Sequence, residues 1–367
     1  MLDFYGVIVN VILFLAIFLL LRPAFYVEMR STGKTRIILS IVLAIVFCVY
    51  AYWAGDYHHM LKAYPQIQSG YSRHFEDVYH FVAHETGASY DVFRLIIWGM
   101  AISLIAITYK RLTVRWDLTL FFCFSFYLLY LSYARVSLAM ATMFLGYSLM
   151  VKPVKRFNIF SFIVGITLIY SSIYFHHSAL FGVAIISLSY ILGKLKGRWK
   201  IFLLIASYPL MIFVAKWFLS DLYITEYDDM VDVAHTQRYL NGAELKTGLG
   251  MLLQNVLFRL PFYLFVYVFI KSHIDKTYKK IPNDVYAFCF AAFLIISSAS
   301  IFLFDLGYNT YTIYYRFLNF AMIPSAVLIS YYKSNHLNER VMRWGYLIGI
   351  SASFYIIIYR LYQVSVS

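Results

Sequence analysis

Residues 4 to 21 read Phe-Tyr-Gly-Val-Ile-Val-Asn-Val-Ile-Leu-Phe-Leu-Ala-Ile-Phe-Leu-Leu-Leu, eighteen positions without a charge and with Asn10 as the one strongly polar side chain. A helix rises 1.5 Å per residue, so ~20 apolar residues cross the ~30 Å hydrocarbon layer of a bilayer. Runs of this kind return along the whole chain, at roughly 37 to 54, 91 to 109, 117 to 133, 136 to 151, 159 to 174, 178 to 192, 201 to 219, 248 to 270, 285 to 304, 316 to 332 and 344 to 361. The pattern predicts an all-α, polytopic integral membrane protein of about twelve transmembrane helices, with residues 1–367 forming a single transmembrane domain.

Composition agrees. Of 367 residues 62% are hydrophobic, 20% aromatic and 13% charged, and the mean hydropathy is +0.70. A soluble domain of this length could not hide so much apolar surface, which excludes a cytosolic enzyme, a secreted disulfide scaffold and a disordered regulator. The three cysteines, Cys48, Cys123 and Cys289, lie inside apolar runs, where thiols act as small hydrophobes, and they offer neither a disulfide framework nor a zinc pattern.

The net charge of +13 is a topology signal rather than a sign of nucleic-acid binding. Segments 22 to 36, 110 to 117, 152 to 158, 193 to 200, 271 to 284 and 333 to 343 hold 21 of the 31 Lys and Arg but only five acids: Glu28, Asp117, Asp275, Asp284 and Glu339. Basic connections stay cytoplasmic, so the alternate connections and both termini are expected outside. The first run has no cleavage site and no charged leading region, which fits a retained helix better than a signal peptide. Two outer segments are long, residues 55–90 and residues 220–247. The first carries His58, His59, His74, His80 and His84, and the second the acids Glu226, Asp228, Asp229 and Asp232.

Ionisable residues at membrane depth are costly, so each is a candidate for function. Arg135 sits in Ser-Tyr-Ala-Arg-Val-Ser, at the outer turn between two spans that look like a tight hairpin. Arg259 lies mid-span in Asn-Val-Leu-Phe-Arg-Leu-Pro-Phe, where Pro261 leaves the Leu257 carbonyl without its helical partner and should kink the helix. Arg316 follows Tyr308-Asn-Thr-Tyr-Thr-Ile-Tyr-Tyr and opens the eleventh span. Arg94 and Arg360, near outer ends, read as arginines that snorkel to headgroups. A purely structural ion pair or carbonyl contact is the competing reading for Arg135, Arg259 and Arg316. Several arginines converging from different spans would make an anion site, because guanidinium grips phosphate oxygens in a bidentate fork and stays charged when buried.

His176 and His177 must occupy an outer turn in Ile-Tyr-Phe-His-His-Ser-Ala-Leu-Phe, either as interfacial hydrogen-bonders or as proton carriers. No metal is expected: His80 and His84 share a helical face but lack the Glu of a zinc-protease motif, and the run Glu226 to Asp232 lacks the Gly and closing Glu of a calcium loop. Many of the 35 tyrosines suit an interfacial belt, and those at Tyr50 to Tyr57 and Tyr308 to Tyr315 also suit stacking on sugar rings.

Taken in order, these motifs resemble the EpsG-like branch of the Wzy-type polysaccharide polymerases. The pieces are Ala54-Gly-Asp-Tyr57, Glu76 to Tyr79, Arg135-Val-Ser-Leu-Ala, Phe175-His-His-Ser-Ala-Leu180 and Arg316 behind its tyrosines. The chain departs from the family in having Val136 where Gln is common and Met60 where a Tyr is common, with Tyr64 nearby. The resemblance implies a bacterial inner-membrane glycosyltransferase with its active site toward the periplasm. It would pass a growing glycan from a polyprenyl-pyrophosphate donor to a hydroxyl of a second lipid-linked repeat unit, without metal or cofactor. It further implies pyrophosphate binding by Arg135, Arg259 and Arg316, proton acceptance by His176 or, second, by Asp56, and a sugar path lined by Tyr57, His177, Tyr314 and Tyr315. The implied partners are the lipid-linked donor and acceptor, the bilayer, and a flippase or chain-length regulator. An O-antigen-ligase-type transferase and a transporter or flippase for an anionic or lipid-linked substrate are the alternatives. A membrane O-acyltransferase fits less well, because only His273 and His336 lie on the basic side.

Overall fold

The computed structural model of the chain describes residues 4–26, 31–51, 56–70, 76–131, 133–151, 158–193, 249–304 and 317–366. Thirteen α-helices run through them: α1 Phe4–Phe25, α2 Lys34–Val49, α3 Asp56–Gln68, α4 Asp77–Thr86, α5 Tyr90–Arg111, α6 Trp116–Leu131, α7 Ala134–Val151, α8 Ile159–Ser171, α9 Ala179–Gly193, α10 Leu249–Ile274, α11 Asn283–Phe304, α12 Met322–Ser334 and α13 Glu339–Val366. Short 3₁₀ turns occupy Ser172–Tyr174 and Thr277–Lys280, and there is no strand among the described residues. Helices suit a chain of this composition because a helix satisfies its backbone hydrogen bonds internally, which hydrocarbon cannot do for it. Tyr5–Phe25, Tyr90–Arg111 and Asn283–Ser300 are long and apolar enough to cross a membrane. The expected span at 201 to 219 and the outer segment 220–247 lie outside the described residues.

Two helices form the centre. Every residue of α6 from Asp117 to Leu129 and every residue of α12 from Met322 to Tyr332 is buried. A helix apolar on all sides belongs inside a bundle or in lipid, and these two take the inside. Around α6 stand α1, α2, α5 and α13, and around α12 stand α7, α10, α11 and α13. Hydroxyls tie the layers together: Tyr109 donates to the Ile323 carbonyl at 3.0 Å, and Ser353 to that of Ser125 at 2.7 Å. The periphery is apolar in turn, with Ile12, Leu19, Ile38, Ile107, Ile163 and Phe160 exposed. A surface of that kind belongs in hydrocarbon rather than water.

Basic segments that are far apart in sequence collect at one end of the bundle. There Asp117 accepts from the Thr32 amide at 3.0 Å and from Arg115 Nη2 at 2.9 Å, while Asp284 accepts from the amide and the hydroxyl of Thr113, each at 2.8 Å. Tyr331 donates to the Lys280 carbonyl at 2.8 Å, and His273 stacks on Tyr278. Two of the few acids in the basic segments are thus latches at the starts of α6 and α11.

Residues 55–90, expected as a loop, contain the helices α3 and α4 at the opposite end. Tyr64 of α3 packs on Tyr90 and Phe93 and donates to the Ala88 carbonyl at 2.8 Å, so its hydroxyl holds the cap together. The expected hairpin of α6 and α7 is also corrected. The two helices touch little, and α7 packs instead against α5 and α8. The cause is a glycine contact: a Cβ on Gly146 would lie 2.5 Å from the Gly165 carbonyl oxygen, and one on Gly165 would lie 2.8 Å from that of Gly146. Small residues let membrane helices meet backbone to backbone. Replacing Gly146 by Ala should force α7 and α8 apart and cost about 1–3 kcal/mol. Thermal unfolding in detergent should show a lowered midpoint for Gly146→Ala and none for Gly99→Ala, whose Cβ would meet nothing within 4 Å.

Candidate functional site

Away from the basic end, three segments meet. Glu76 stands immediately before α4 with an extended backbone, and its carbonyl accepts from the Tyr79 amide at 2.9 Å. An acid in this position usually turns its carboxylate onto the free amides of its own helix. Glu76 makes no such bond, and its carboxylate reaches across to α7, where Arg135 Nη1 donates to Oε2 at 3.3 Å. The other oxygen, Oε1, lies 3.8 Å from Nδ1 of His176. The Glu76 side chain is 6% exposed, against 24% for Arg135 and 18% for His176, so the carboxylate is the deepest of the three and the two basic groups border it.

His176 is held by the turn that joins α8 to α9. Its carbonyl accepts from the Ala179 amide at 2.8 Å, and its Nδ1 accepts from the Ser178 amide at 3.2 Å with the Ser178 hydroxyl equally near. The ring nitrogen does here what a Ser or Asp oxygen does at a helix start. A backbone amide can only donate, so Nδ1 carries the lone pair and the neutral ring keeps its proton on Nε2. His177, next in sequence, is exposed. Beneath the cluster Tyr79 is buried, donates to the Phe175 carbonyl at 2.9 Å and meets the ring of Phe93 edge-on. Burial pushes its phenol well above the usual range and the negative charge of Glu76 adds to this, so the hydroxyl stays protonated and remains a donor. α4 is therefore fastened to the histidine turn through Tyr79 and to α7 through Glu76.

The other expected residues divide. Arg259 is buried at 8% exposure on α10, which runs as one continuous helix through Pro261. Phe262 stacks on Tyr127 at 5.0 Å. Tyr127 belongs to α6, so this contact packs the Arg259 stretch of α10 against α6. Arg94 departs from the snorkelling expectation. It is 5% exposed, its Nη2 donates to the Cys48 carbonyl at 2.9 Å, and its guanidinium lies 5.6 Å from the Tyr90 ring centre. The last turn of α2 explains this, since its outward-pointing carbonyls form the negative end of the helix and draw the cation inward. His80 contacts the Ile67 carbonyl at 2.8 Å and so joins α4 to α3. Asp56 and Tyr57 fall in the first turn of α3, but their side chains lie outside the described residues, as does that of Arg360. Arg316, Tyr314 and Tyr315 are wholly outside them.

A carboxylate with a guanidinium at 3.3 Å and an imidazole at 3.8 Å, both of them partly exposed, can bind an anionic group and relay a proton. Sequence reading named Arg135 and His176 but gave Glu76 no role, although it stood in the quoted motif. The only signal was an acid in an outer segment, and its partner is 59 positions away. The chain matches no family model, no curated protein and no solved structure.

Replacing Tyr79 by Phe removes the bond to Phe175 and leaves that carbonyl unsatisfied. A loss of about 1–3 kcal/mol should follow, read as a lower unfolding midpoint in detergent.

Proposed function

We propose that this chain is a membrane glycosyltransferase of the EpsG-like, Wzy type, which joins lipid-linked oligosaccharide repeat units on the outer face of the bacterial inner membrane. The observation that carries this reading is the Glu76–Arg135–His176 cluster, at the end of an apolar helical bundle opposite its basic segments. Basic connections favour the cytoplasmic side, which supports a reading in which the cluster faces the periplasm and the chain spans the membrane about twelve times.

The reaction breaks the bond between the anomeric carbon of the donor glycan and the terminal oxygen of its polyprenyl pyrophosphate, and forms a bond from that carbon to an acceptor hydroxyl. The departing electron pair stays on the pyrophosphate. Charge therefore grows on phosphate oxygens, and preorganised donors at that point lower the barrier. Arg135 supplies such a donor beside His176, with Arg259 and Arg316 as further anion contacts. Tyr57, His177, Tyr314 and Tyr315 line the sugar path, while the polyprenyl tail enters from the bilayer between helices. The site needs neither metal nor cofactor, and a flippase or chain-length regulator is the expected protein partner. A cluster at one end of the bundle suits a lipid-linked, outward-presented substrate better than the mid-bilayer site of a transporter.

Deleting the gene in its host should leave single lipid-linked repeat units and abolish the ladder of longer glycans on a gel. Complementation with Arg135→Ala or His176→Ala should restore little of that ladder. An intact ladder with lost surface attachment would indicate the ligase-type transferase instead, and an unchanged glycan profile would count against both. Orientation has its own check. The cysteines Cys48, Cys123 and Cys289 are all buried, so Glu85→Cys on the exposed side of α4 should react with an impermeant maleimide added outside.

A further inference from the structure

We propose that Glu76, and not His176, accepts the proton of the attacking hydroxyl, and that His176 serves as a hydrogen-bond donor through Nε2; this rests on the glycosyltransferase reading above. Nδ1 of His176 is an acceptor for the Ser178 amide at 3.2 Å, a bond fixed by the turn that starts α9. The neutral imidazole must then hold its one proton on Nε2, and no lone pair is left with which to take another. For His176 to act as a base at Nε2, the proton would have to move to Nδ1 and break the amide contact. In its resting tautomer the ring can only give a hydrogen bond, which suits a phosphate oxygen.

The carboxylate has the opposite character. Glu76 does not cap α4, and its Oε2 is engaged by Arg135 at 3.3 Å. A carboxylate has about four lone-pair sites. Nδ1 of His176 lies 3.8 Å from Oε1, longer than a hydrogen bond, and it presents a lone pair. Oε1 is therefore an oxygen of a largely buried side chain whose hydrogen-bonding capacity is not filled among the described residues, next to the two groups assigned to the leaving pyrophosphate. An acceptor hydroxyl bound there would donate to Oε1.

In the step itself the hydroxyl oxygen bonds the anomeric carbon as its proton passes to Oε1. The bond from that carbon to the phosphate oxygen breaks with its electron pair on the pyrophosphate, which Arg135 and the Nε2–H of His176 receive. The proton leaves Glu76 to water as product departs.

The test uses the full-length protein in lipid nanodiscs and single lipid-linked repeat units extracted from the host lacking the gene, with ladder formation as the readout. Glu76→Gln should lower turnover by at least ~100-fold, and Glu76→Ala should be partly restored by added formate and acetate but not by equal chloride. His176→Gln, whose amide still donates, should retain more activity than Glu76→Gln. Near-normal turnover by Glu76→Gln overturns the proposal, as does restoration of Glu76→Ala by chloride, which would mean that the carboxylate only balances Arg135. If the alanine and glutamine variants lose their melting transition, Glu76→Asp is measured, which keeps the charge beside Arg135. A large drop in turnover with unchanged donor KM supports the proposal, and unchanged turnover overturns it. Should the unaltered protein form no ladder from these units, the glycosyltransferase reading fails and the assignment fails with it.

Discussion

The contact between Gly146 and Gly165 is the constraint on which the candidate site depends. Neither position has room for one further carbon, because each would place it within 3 Å of the other's carbonyl oxygen. That approach brings α7 and α8 together as antiparallel neighbours, so the start of α7 and the end of α8 arrive at the same end of the bundle. Arg135 is on the first of these and His176 just beyond the second. With a larger residue at the crossing, the guanidinium and the imidazole would no longer border one carboxylate.

Charge is then placed where it is compensated. An ion taken out of water costs several kcal/mol unless a partner is near, and removing one member of a buried pair leaves the other exposed to that cost. Glu76 is nearly dry and is met by Arg135, whereas Asp117 and Asp284 at the other end are met by backbone amides, a guanidinium and a hydroxyl. The acids at the basic end are saturated, and that saturation suits a latch. Glu76 is incompletely bonded, a state that adds nothing to stability and leaves an oxygen available for chemistry.

Much of the architecture was legible from residue type. The apolar runs at 4 to 21, 91 to 109 and 285 to 304 became α1, α5 and α11, and basic segments among the described residues meet at one end of the bundle. The misreadings share a cause. Arg94 looked like a snorkelling residue because its sequence position is near a span end, but the Cys48 carbonyl at the end of another helix turned it inward. Residues 132 and 133 suggested a hairpin, yet a short connection does not make two helices neighbours when a third helix offers α7 a closer fit.

What the sequence determined by itself is the class of structure, since hydrophobicity, run length and charge bias act locally and add along the chain. It also marked Arg135 and His176, because a charged or titratable group beside an apolar run is conspicuous wherever it stands. Only the tertiary structure decided that Glu76 lies between them and that α10 packs on α6 through Phe262 and Tyr127. Such relations are distances of 3 to 5 Å between residues remote in sequence. They follow from which helix faces pack, and no local pattern encodes that.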